Sequence, residues 1–198
     1  MGLLLLIISG YALAFQVHDA SADIVDVLSI DSTISLDIRY ATDNNFTKHV
    51  LYPVAKAKLR RVAAESLAAV NRELKPMGLH LKIYDAYRPL SIQWKLWETV
   101  PNPDYVADPR KGSRHNRGAA VDLTIIDSLG HELDMPTPYD DFTHKAWQGY
   151  SELPAREIKN RELLKQVMSK HGFLPLKSEW WHFDFHGWER FDIMDDPL

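Results

Sequence analysis

A histidine and an aspartate lie close together in the segment GSRHNRGAAVDLT, residues 112–124. Asp122 stands in an otherwise apolar stretch that is typical of a strand, and a buried carboxylate is costly unless a charged group faces it. His115 precedes that stretch in a loop that can fold back towards it. A divalent cation bound by both residues would satisfy the carboxylate, and an arginine such as Arg88 is the alternative partner.

A second cluster of metal-binding residue types lies in SEWWHFDF, residues 178–185. His182 would be a third ligand, and Glu179 is a carboxylate that need not touch the metal. Two histidines and one carboxylate, with a fourth position left to water, are typical of a catalytic zinc site. His186 would share a strand face with His182 and is a rival ligand. Because an offset of three changes the face of a regular strand, we expect Glu179 in the turn before the strand or beside a bulge.

The two clusters together resemble the motifs of a known group of enzymes. S-x-H-x-x-G-x-A-x-D at residues 113–122, followed by E-x-W-H at 179–182, resembles the zinc D,D-peptidases that act on peptidoglycan peptides. Within that group the chain is more similar to the D-alanyl-D-alanine dipeptidases known from vancomycin resistance. The similarity extends from about residue 24 to the C-terminus, through these segments in the same order: RYATDNNFT, DAYRP, AVDLT, MPTPYDDF and SEWWHFDF.

The resemblance implies a role for each residue of the two clusters. His115, Asp122 and His182 would bind one Zn²⁺ per chain. Glu179 would act as the general base. Arg88, within DAYRP, would stabilise the tetrahedral intermediate; without the resemblance, a surface salt bridge would be the simpler interpretation of this arginine.

The resemblance also implies contacts to the substrate, a small D,D-dipeptide. Tyr40 and Asp140 would lie near the ammonium group of the free dipeptide. Ser113 would contact the substrate beside the metal. Asp141 directly follows Asp140 in MPTPYDDF, so the assignment of the acidic residue is open by one position.

Three classes of function fit these motifs. The favoured one is a zinc-dependent dipeptidase that hydrolyses D-Ala-D-Ala, because RYATDNNFT and MPTPYDDF resemble segments that close the pocket around a free amine. The alternative is a D,D-carboxypeptidase that trims peptidoglycan stem peptides, and export from the cell would favour it. The third is a non-catalytic, zinc-stabilised binding module. Glu179 argues against that module, because a structural metal site has no use for an unliganded carboxylate.

The composition of the 198-residue chain narrows the possible partners. The formal net charge is −4 and no stretch is rich in Lys and Arg, which argues against nucleic acid as the main partner. The chain contains no cysteine, so a metal site must use His, Asp and Glu side chains. Its length fits a single domain with a substantial core.

The first residues, MGLLLLIISGYALAF, form an apolar run that is followed by the polar segment QVHDASAD. The run is too short for a stable membrane span and has the length of a signal-peptide core, although no Lys or Arg precedes it. We therefore predict a signal peptide over residues 1–22 and an enzyme domain over 23–198, located in the periplasm or secreted. The alternative is a buried N-terminal strand in a cytoplasmic protein, the usual location of the dipeptidase subfamily. Cleavage motifs of the A-x-A type occur at Ala12–Ala14 and Ala20–Ala22.

Periodicity and turn residues predict the elements that would position these side chains. Residues 34–40 alternate between apolar and polar, which is typical of a half-buried strand, and residues 55–75 show helical spacing up to Pro76 and Gly78. Further strands are predicted at 79–87, 119–126 and 179–185, and further helices at 91–100 and 159–173. Because helices and strands mix without a regular βαβ rhythm, the predicted fold is a single α+β domain. Its central, mainly antiparallel sheet would be flanked by helices and would carry the zinc site.

Overall fold

A five-stranded sheet forms the centre of the computed structural model, which describes residues 19–198. In chain order the strands are β1 (Ile24–Asp26), β2 (Ser35–Leu36), β3 (Lys58–Arg60), β4 (Leu79–Asp85), β5 (Ala120–Asp127), β6 (Phe173–Pro175) and β7 (His182–Phe185). The helices are α1 (Val27–Ile30), α2 (Arg61–Leu74), α3 (Leu90–Thr99) and α4 (Ala155–Lys170).

The strand order across the central sheet is β2-β4-β5-β7-β6. The pairs β4–β5, β5–β7 and β6–β7 are antiparallel, whereas β2 runs parallel to β4. Strands β1 and β3 form a separate antiparallel pair. The predicted α+β domain with a mainly antiparallel central sheet is therefore confirmed.

Strand β5 occupies the middle of the sheet because its side chains can be covered on both faces. Residues 120–126 are all buried, and a mainly apolar run is typical of such a strand. Leu67 of α2 and Leu164 of α4 belong to the same buried core as Leu123 of β5. The helices thus shield the strand that carries Asp122.

Two helices begin at residues different from those predicted. Helix α2 begins at Arg61 instead of residue 55, because residues 58–60 pair with β1 as strand β3. Helix α4 begins at Ala155, directly after Pro154, which is earlier than predicted. Gly172 follows that helix with a φ of 85°, as expected for a glycine beyond a helix C-terminus.

The strand predicted at residues 34–40 is much shorter than expected. Ser35–Leu36 pairs with β4, but Arg39–Ala41 forms a 3₁₀ turn. The alternating pattern correctly predicts that the Ile38 and Tyr40 side chains are buried. Buried side chains do not by themselves make the backbone pair with a neighbouring strand, however. Only two residues of this segment pair with β4.

The last strand of the sheet also begins later than predicted, at His182. Glu179 lies in the turn before it, which is one of the two placements expected from the offset of three. Strands β1, β3 and β6 were not predicted, because three residues are too few to display a period of two.

Gly118 connects the turn after His115 to the β1–β3 pair. Its φ of 65° is left-handed, and its carbonyl accepts a hydrogen bond from the Arg60 N–H at 2.8 Å. A Cβ atom at this position would lie 2.5 Å from Ile24 Cδ1. We expect Gly118→Ala to lower the free energy of unfolding by about 1–3 kcal/mol, measured by urea denaturation.

Gly130→Ala is the matched control for this substitution. Gly130 also has a positive φ, of 86°, but no atom lies within 4 Å of its Cβ position. The control therefore carries the backbone strain without the steric clash, and its loss of stability should be smaller. Equal losses in the two variants would contradict a close approach at Gly118.

Within residues 19–198, no helix combines the length and the apolar character that crossing a membrane requires. Residues 1–18, which include most of the predicted signal peptide, lie outside the described residues. The signal peptide and the domain boundary after residue 22 therefore stay predictions.

Candidate active site

All of the site residues predicted from the sequence line one cavity of about 200 Å³. They come from parts of the chain that are far apart in sequence, namely the turn Arg39–Ala41, the loops around β4 and β5, β5 itself and the start of β7. The predicted residues in its wall are Tyr40, Arg88, Ser113, His115, Asp122, Asp140, Glu179 and His182.

Three buried side chains in this wall point their polar atoms at a common centre. Asp122 on β5 and His182 on β7 are directly opposed in the antiparallel register, which places them on the same face of the sheet. Asp122 Oδ1 lies 2.9 Å from His182 Nδ1 and 3.4 Å from His115 Nε2. One potential ligand atom from each residue lies within 4.8 Å of the others, so this group could hold a metal ion.

Each of the three side chains is fixed by a further contact on the side away from this centre. His115 Nδ1 bonds the Ala86 carbonyl at 2.7 Å, and His182 Nε2 bonds Asp184 Oδ1 at 2.9 Å. Asp122 Oδ2 accepts a hydrogen bond from the Tyr139 hydroxyl at 2.9 Å. Such outer contacts orient the side chains that bind a metal. Although burial opposes ionisation of Asp122, the two neighbouring histidines lower the pKa of its carboxyl well below the ordinary value.

The alternatives considered for this group lie elsewhere. His186 is exposed beyond the end of β7, and its Nδ1 bonds the Gly172 carbonyl at 3.0 Å. It therefore does not compete with His182. Arg88, the alternative partner of Asp122, forms its ion pair with Asp85 instead, at 2.6 Å.

Glu179 lies beside the three side chains but does not belong to the group whose ligand atoms converge. Its Oε2 atom is 3.8 Å from His182 Nδ1. The turn that holds it is anchored by the Gln148 side-chain amide, which donates to the Glu179 carbonyl at 3.3 Å. Burial raises the pKa of the Glu179 carboxyl above its ordinary value. A carboxyl with a raised pKa beside a possible metal site is suited to proton transfer.

The guanidinium of Arg88 is buried and held in place on two sides. Its Nε and Nη2 atoms donate to Asp85 Oδ2 at 3.0 and 2.6 Å, and Nη1 donates to Gln93 Oε1 at 2.8 Å. Arg88 as a whole is 7% exposed, and Asp85 is completely buried. The surface salt bridge that the sequence alone favoured is thus wrong. A guanidinium has five N–H groups, and these three contacts leave two that can reach a ligand.

Two of the residues expected to contact the substrate, Tyr40 and Asp140, lie next to each other in the cavity wall. The Tyr40 hydroxyl is 3.3 Å from Asp140 Oδ2, and Asp140 has a left-handed φ of 61°. Burial raises the pKa of the Asp140 carboxyl well above its ordinary value. Asp141 instead accepts a hydrogen bond from the Thr143 N–H at 2.7 Å, and the cavity wall includes Asp140 rather than its neighbour.

Ser113 lies directly before the turn that carries His115. Its hydroxyl oxygen accepts a hydrogen bond from the His115 N–H at 3.2 Å. The Ser113 N–H in turn donates to Asn116 Oδ1 at 2.7 Å, so the loop is fixed on both sides of the histidine. The serine thus supports the position of His115 as well as lining the cavity.

Four residues that support the site were not predicted from the sequence. Asp85 and Tyr139 lie inside the quoted segments DAYRP and MPTPYDDF, but nothing in those segments assigned them a partner. Asp184 could have been found, because a period of two places it on the same strand face as His182. Gln93 lies on α3 and carried no signal in the sequence.

The Peptidase_M15 family model, described as D-Ala-D-Ala dipeptidase, matches residues 20–195. The chain belongs to this family. A D-alanyl-D-alanine dipeptidase of Escherichia coli (strain K12) is 35% identical to this family member over 178 residues, which cover 90% of the present chain and 92% of the relative. One from Enterococcus faecium is 29% identical over 171 residues, covering 74% of this chain and 83% of the relative. The resemblance inferred from the motifs is confirmed, and this member of the dipeptidase family is a metallopeptidase.

Two solved structures match this dipeptidase family member more distantly. The vancomycin resistance D,D-pentapeptidase VanY, in complex with Zn(II), has 14% sequence identity and a TM-score of 0.45, covering 70% of this chain and 78% of its own. VanYB in complex with D-alanine-D-alanine has 15% identity and a TM-score of 0.46, covering 70% and 77%. The family assignment rests on the sequence matches and not on these structures.

Proposed function

We propose that the chain hydrolyses the free dipeptide D-Ala-D-Ala to two D-alanines, with one Zn²⁺ bound per chain. The observation that carries this proposal is the convergence of His115, Asp122 and His182 beside Glu179, in a member of the D-Ala-D-Ala dipeptidase family. Pockets for drug-sized ligands measure roughly 300–1,000 Å³. The cavity of about 200 Å³ suits a smaller substrate.

The donor set fits zinc. Catalytic zinc sites take three protein ligands from His and carboxylate side chains and leave a fourth position for water or substrate. His115 Nε2 and His182 Nδ1 face Asp122 Oδ1, while the other ring nitrogens are engaged by protein oxygens. When bound there, zinc would supply a Lewis acid that polarises the peptide carbonyl and activates water.

Glu179 is proposed to move the proton. Its carboxylate accepts a proton from the attacking water, and the oxygen of that water forms a bond to the peptide carbon. Glu179 then passes the proton to the nitrogen of the leaving D-alanine as the C–N bond breaks. Burial raises the pKa of the Glu179 carboxyl, which favours uptake of the proton from water. It also lets the carboxyl keep the proton until it is transferred to the leaving amine.

Arg88 is proposed to stabilise the negative charge that develops on the carbonyl oxygen. Asp85 and Gln93 hold its guanidinium before the substrate arrives, so no reorganisation is needed when the charge forms. A donor placed in this way contributes on the order of 3 kcal/mol to the transition state.

Asp140 and Tyr40 are proposed to bind the ammonium group of the dipeptide, and Ser113 to contact the substrate beside the metal. Within residues 19–198, the half-buried Asp140 carboxyl is hydrogen-bonded by the neutral Tyr40 hydroxyl and has no cation at hydrogen-bond distance. A free dipeptide carries an ammonium at the position where a stem peptide has a neutral amide. This contact therefore favours a dipeptidase over the alternative, a D,D-carboxypeptidase.

Removal of the metal and comparison of two substrates test the proposal together. Protein treated with a chelator should release no D-alanine from D-Ala-D-Ala, and one equivalent of Zn²⁺ per chain should restore the release. The zinc-loaded protein should cleave the dipeptide far more efficiently than a pentapeptide ending in D-Ala-D-Ala. Full turnover without metal would contradict the zinc site, and preference for the pentapeptide would identify a D,D-carboxypeptidase.

We further propose that the protein is exported, with cleavage after Ala14 rather than after Ala22. The Ala22 carbonyl accepts a hydrogen bond from Arg60 Nη1 at 2.7 Å, and Ala22 packs against the core. Cleavage after Ala22 would remove both contacts, which shifts the predicted start of the domain towards residue 15. N-terminal sequencing of protein recovered from cells should therefore find Phe15; an intact Met1 on active cytoplasmic protein would contradict export.

A further inference from the structure

Tyr105 and Phe142 form a stacked pair of rings in the wall of the cavity. Their centroids are 4.9 Å apart and their planes are inclined by 25°. Tyr105 belongs to the loop between α3 and β5, whereas Phe142 belongs to the loop between β5 and α4. Phe46, from a third loop, packs edge-on against Phe142 with centroids 5.4 Å apart.

A second, larger cavity adjoins the first at this pair of rings. This outer groove has a volume of about 510 Å³, and its wall also includes Asp141, His144 and Trp147. Tyr105 and Phe142 contribute the aromatic rings among the residues that line both the active-site cavity and the outer groove; the others are Pro103, Asp104, Ser178 and Glu179. Since a residue that lines two adjoining cavities stands in the wall between them, the stacked rings are part of the partition.

We propose that the Tyr105–Phe142 pair is the specificity determinant that restricts the site to a free dipeptide. The outer groove would then be the space that a longer peptide ending in D-Ala-D-Ala needs. This inference rests on the proposed function, in which the ammonium group lies near Asp140. Phe142 follows Asp140 by two residues in the same loop, so a residue joined to that amine meets the partition.

Truncation of either ring should join the two cavities without disturbing the core. Tyr105 is 43% exposed, so removal of its ring leaves no buried hole behind. Phe142 stacks on the Tyr105 ring in the partition. The two rings are the side-chain part of this wall that truncation removes, and their removal does not require the backbone of either loop to change.

The test compares kcat/KM for release of D-alanine from D-Ala-D-Ala and from L-Ala-D-Ala-D-Ala. The unaltered zinc-loaded protein should strongly prefer the dipeptide. Tyr105→Ala and Phe142→Ala should each raise the tripeptide-to-dipeptide ratio by about tenfold or more, a size typical of contacts that exclude a larger substrate. If Phe142→Ala fails to fold, the exposed position of Tyr105 makes Tyr105→Ala sufficient for the test.

Phe46→Ala is the matched control. Phe46 lines the active-site cavity and contacts the same ring, but the wall of the outer groove does not include it. Its truncation should enlarge the pocket without joining it to the groove, and the substrate ratio should stay near that of the unaltered protein.

Three outcomes would overturn the inference. They are an unchanged ratio in both partition variants with dipeptide turnover retained, an equal rise in Phe46→Ala, and equal cleavage of both peptides by the unaltered protein. Absence of dipeptide turnover in the unaltered zinc-loaded protein would instead contradict the proposed function, so the two failures can be told apart.

Discussion

Glu179→Ala is expected to keep its zinc and to lose about 10²- to 10⁴-fold in kcat. The carboxylate lies 3.8 Å from the nearest His182 ring nitrogen, beside the three proposed ligands but not among them. Its removal should therefore abolish proton transfer without opening the metal site. The measurement is zinc content per chain beside kcat for D-Ala-D-Ala.

Glu179→Gln is the control that separates chemistry from packing. The amide keeps nearly the same volume in the turn before β7, but it cannot accept the proton from water. A comparable loss of kcat in both variants supports the role of general base. Near-normal turnover by either variant, or loss of zinc from Glu179→Ala, would show that the role is assigned wrongly.

His182→Ala is expected to lower both zinc occupancy and rate, because it removes a proposed ligand and not only a catalytic group. Its Nδ1 atom is 2.9 Å from Asp122 Oδ1 and 3.2 Å from His115 Nε2, at the centre of the group. The zinc dissociation constant, measured by competition with a chelator, should rise steeply. In this variant only His115 and Asp122 remain as proposed ligands, and they should bind Zn²⁺ weakly.

His186→Ala is the matched control on the same part of the chain. His186 is exposed and bonds the Gly172 carbonyl, so its removal should leave both zinc affinity and kcat close to those of the unaltered protein. If His182→Ala retained zinc and His186→Ala lost it, His186 and not His182 would be the ligand.

The residues that line the cavity could be predicted as a group because their types are informative without any knowledge of contacts. Asp122 inside an apolar strand demands a charged partner, and the number of groups that can supply one is small. The opposition of Asp122 and His182 across β5 and β7 then follows from the strand register, which no single segment of the sequence displays. The residue types were therefore predictable, whereas their distances were not.

The supports of the site were harder to predict because each depends on a contact between distant elements. Asp85 precedes Arg88 by three residues, but a carboxylate at that spacing pairs with an arginine only if both are turned into the same buried space. Gln93 reaches Arg88 from α3, and no local pattern distinguishes it from a surface glutamine. The packing of distant elements determines these partners of Arg88.

At the edge of the sheet, a visible sequence pattern predicted a longer strand than the two residues that form β2. Alternation over residues 34–40 reports which side chains are buried, and it does so correctly for Ile38 and Tyr40. It does not report whether a neighbouring strand is present to accept the backbone hydrogen bonds. Tyr40 therefore lies in a 3₁₀ turn, and this turn directs its hydroxyl towards Asp140.

The pairing of β5 with β7 limits when the protein can acquire its metal. Asp122 and His182 are 60 residues apart, and they meet only after the two strands have paired. A nascent chain that has exposed β5 but not β7 to solvent offers two of the three proposed ligands, which would form a weak chelate. If these residues are the ligands, metal uptake follows synthesis and folding of this part of the chain. The compartment in which the sheet closes is the one whose metal supply determines what the site contains.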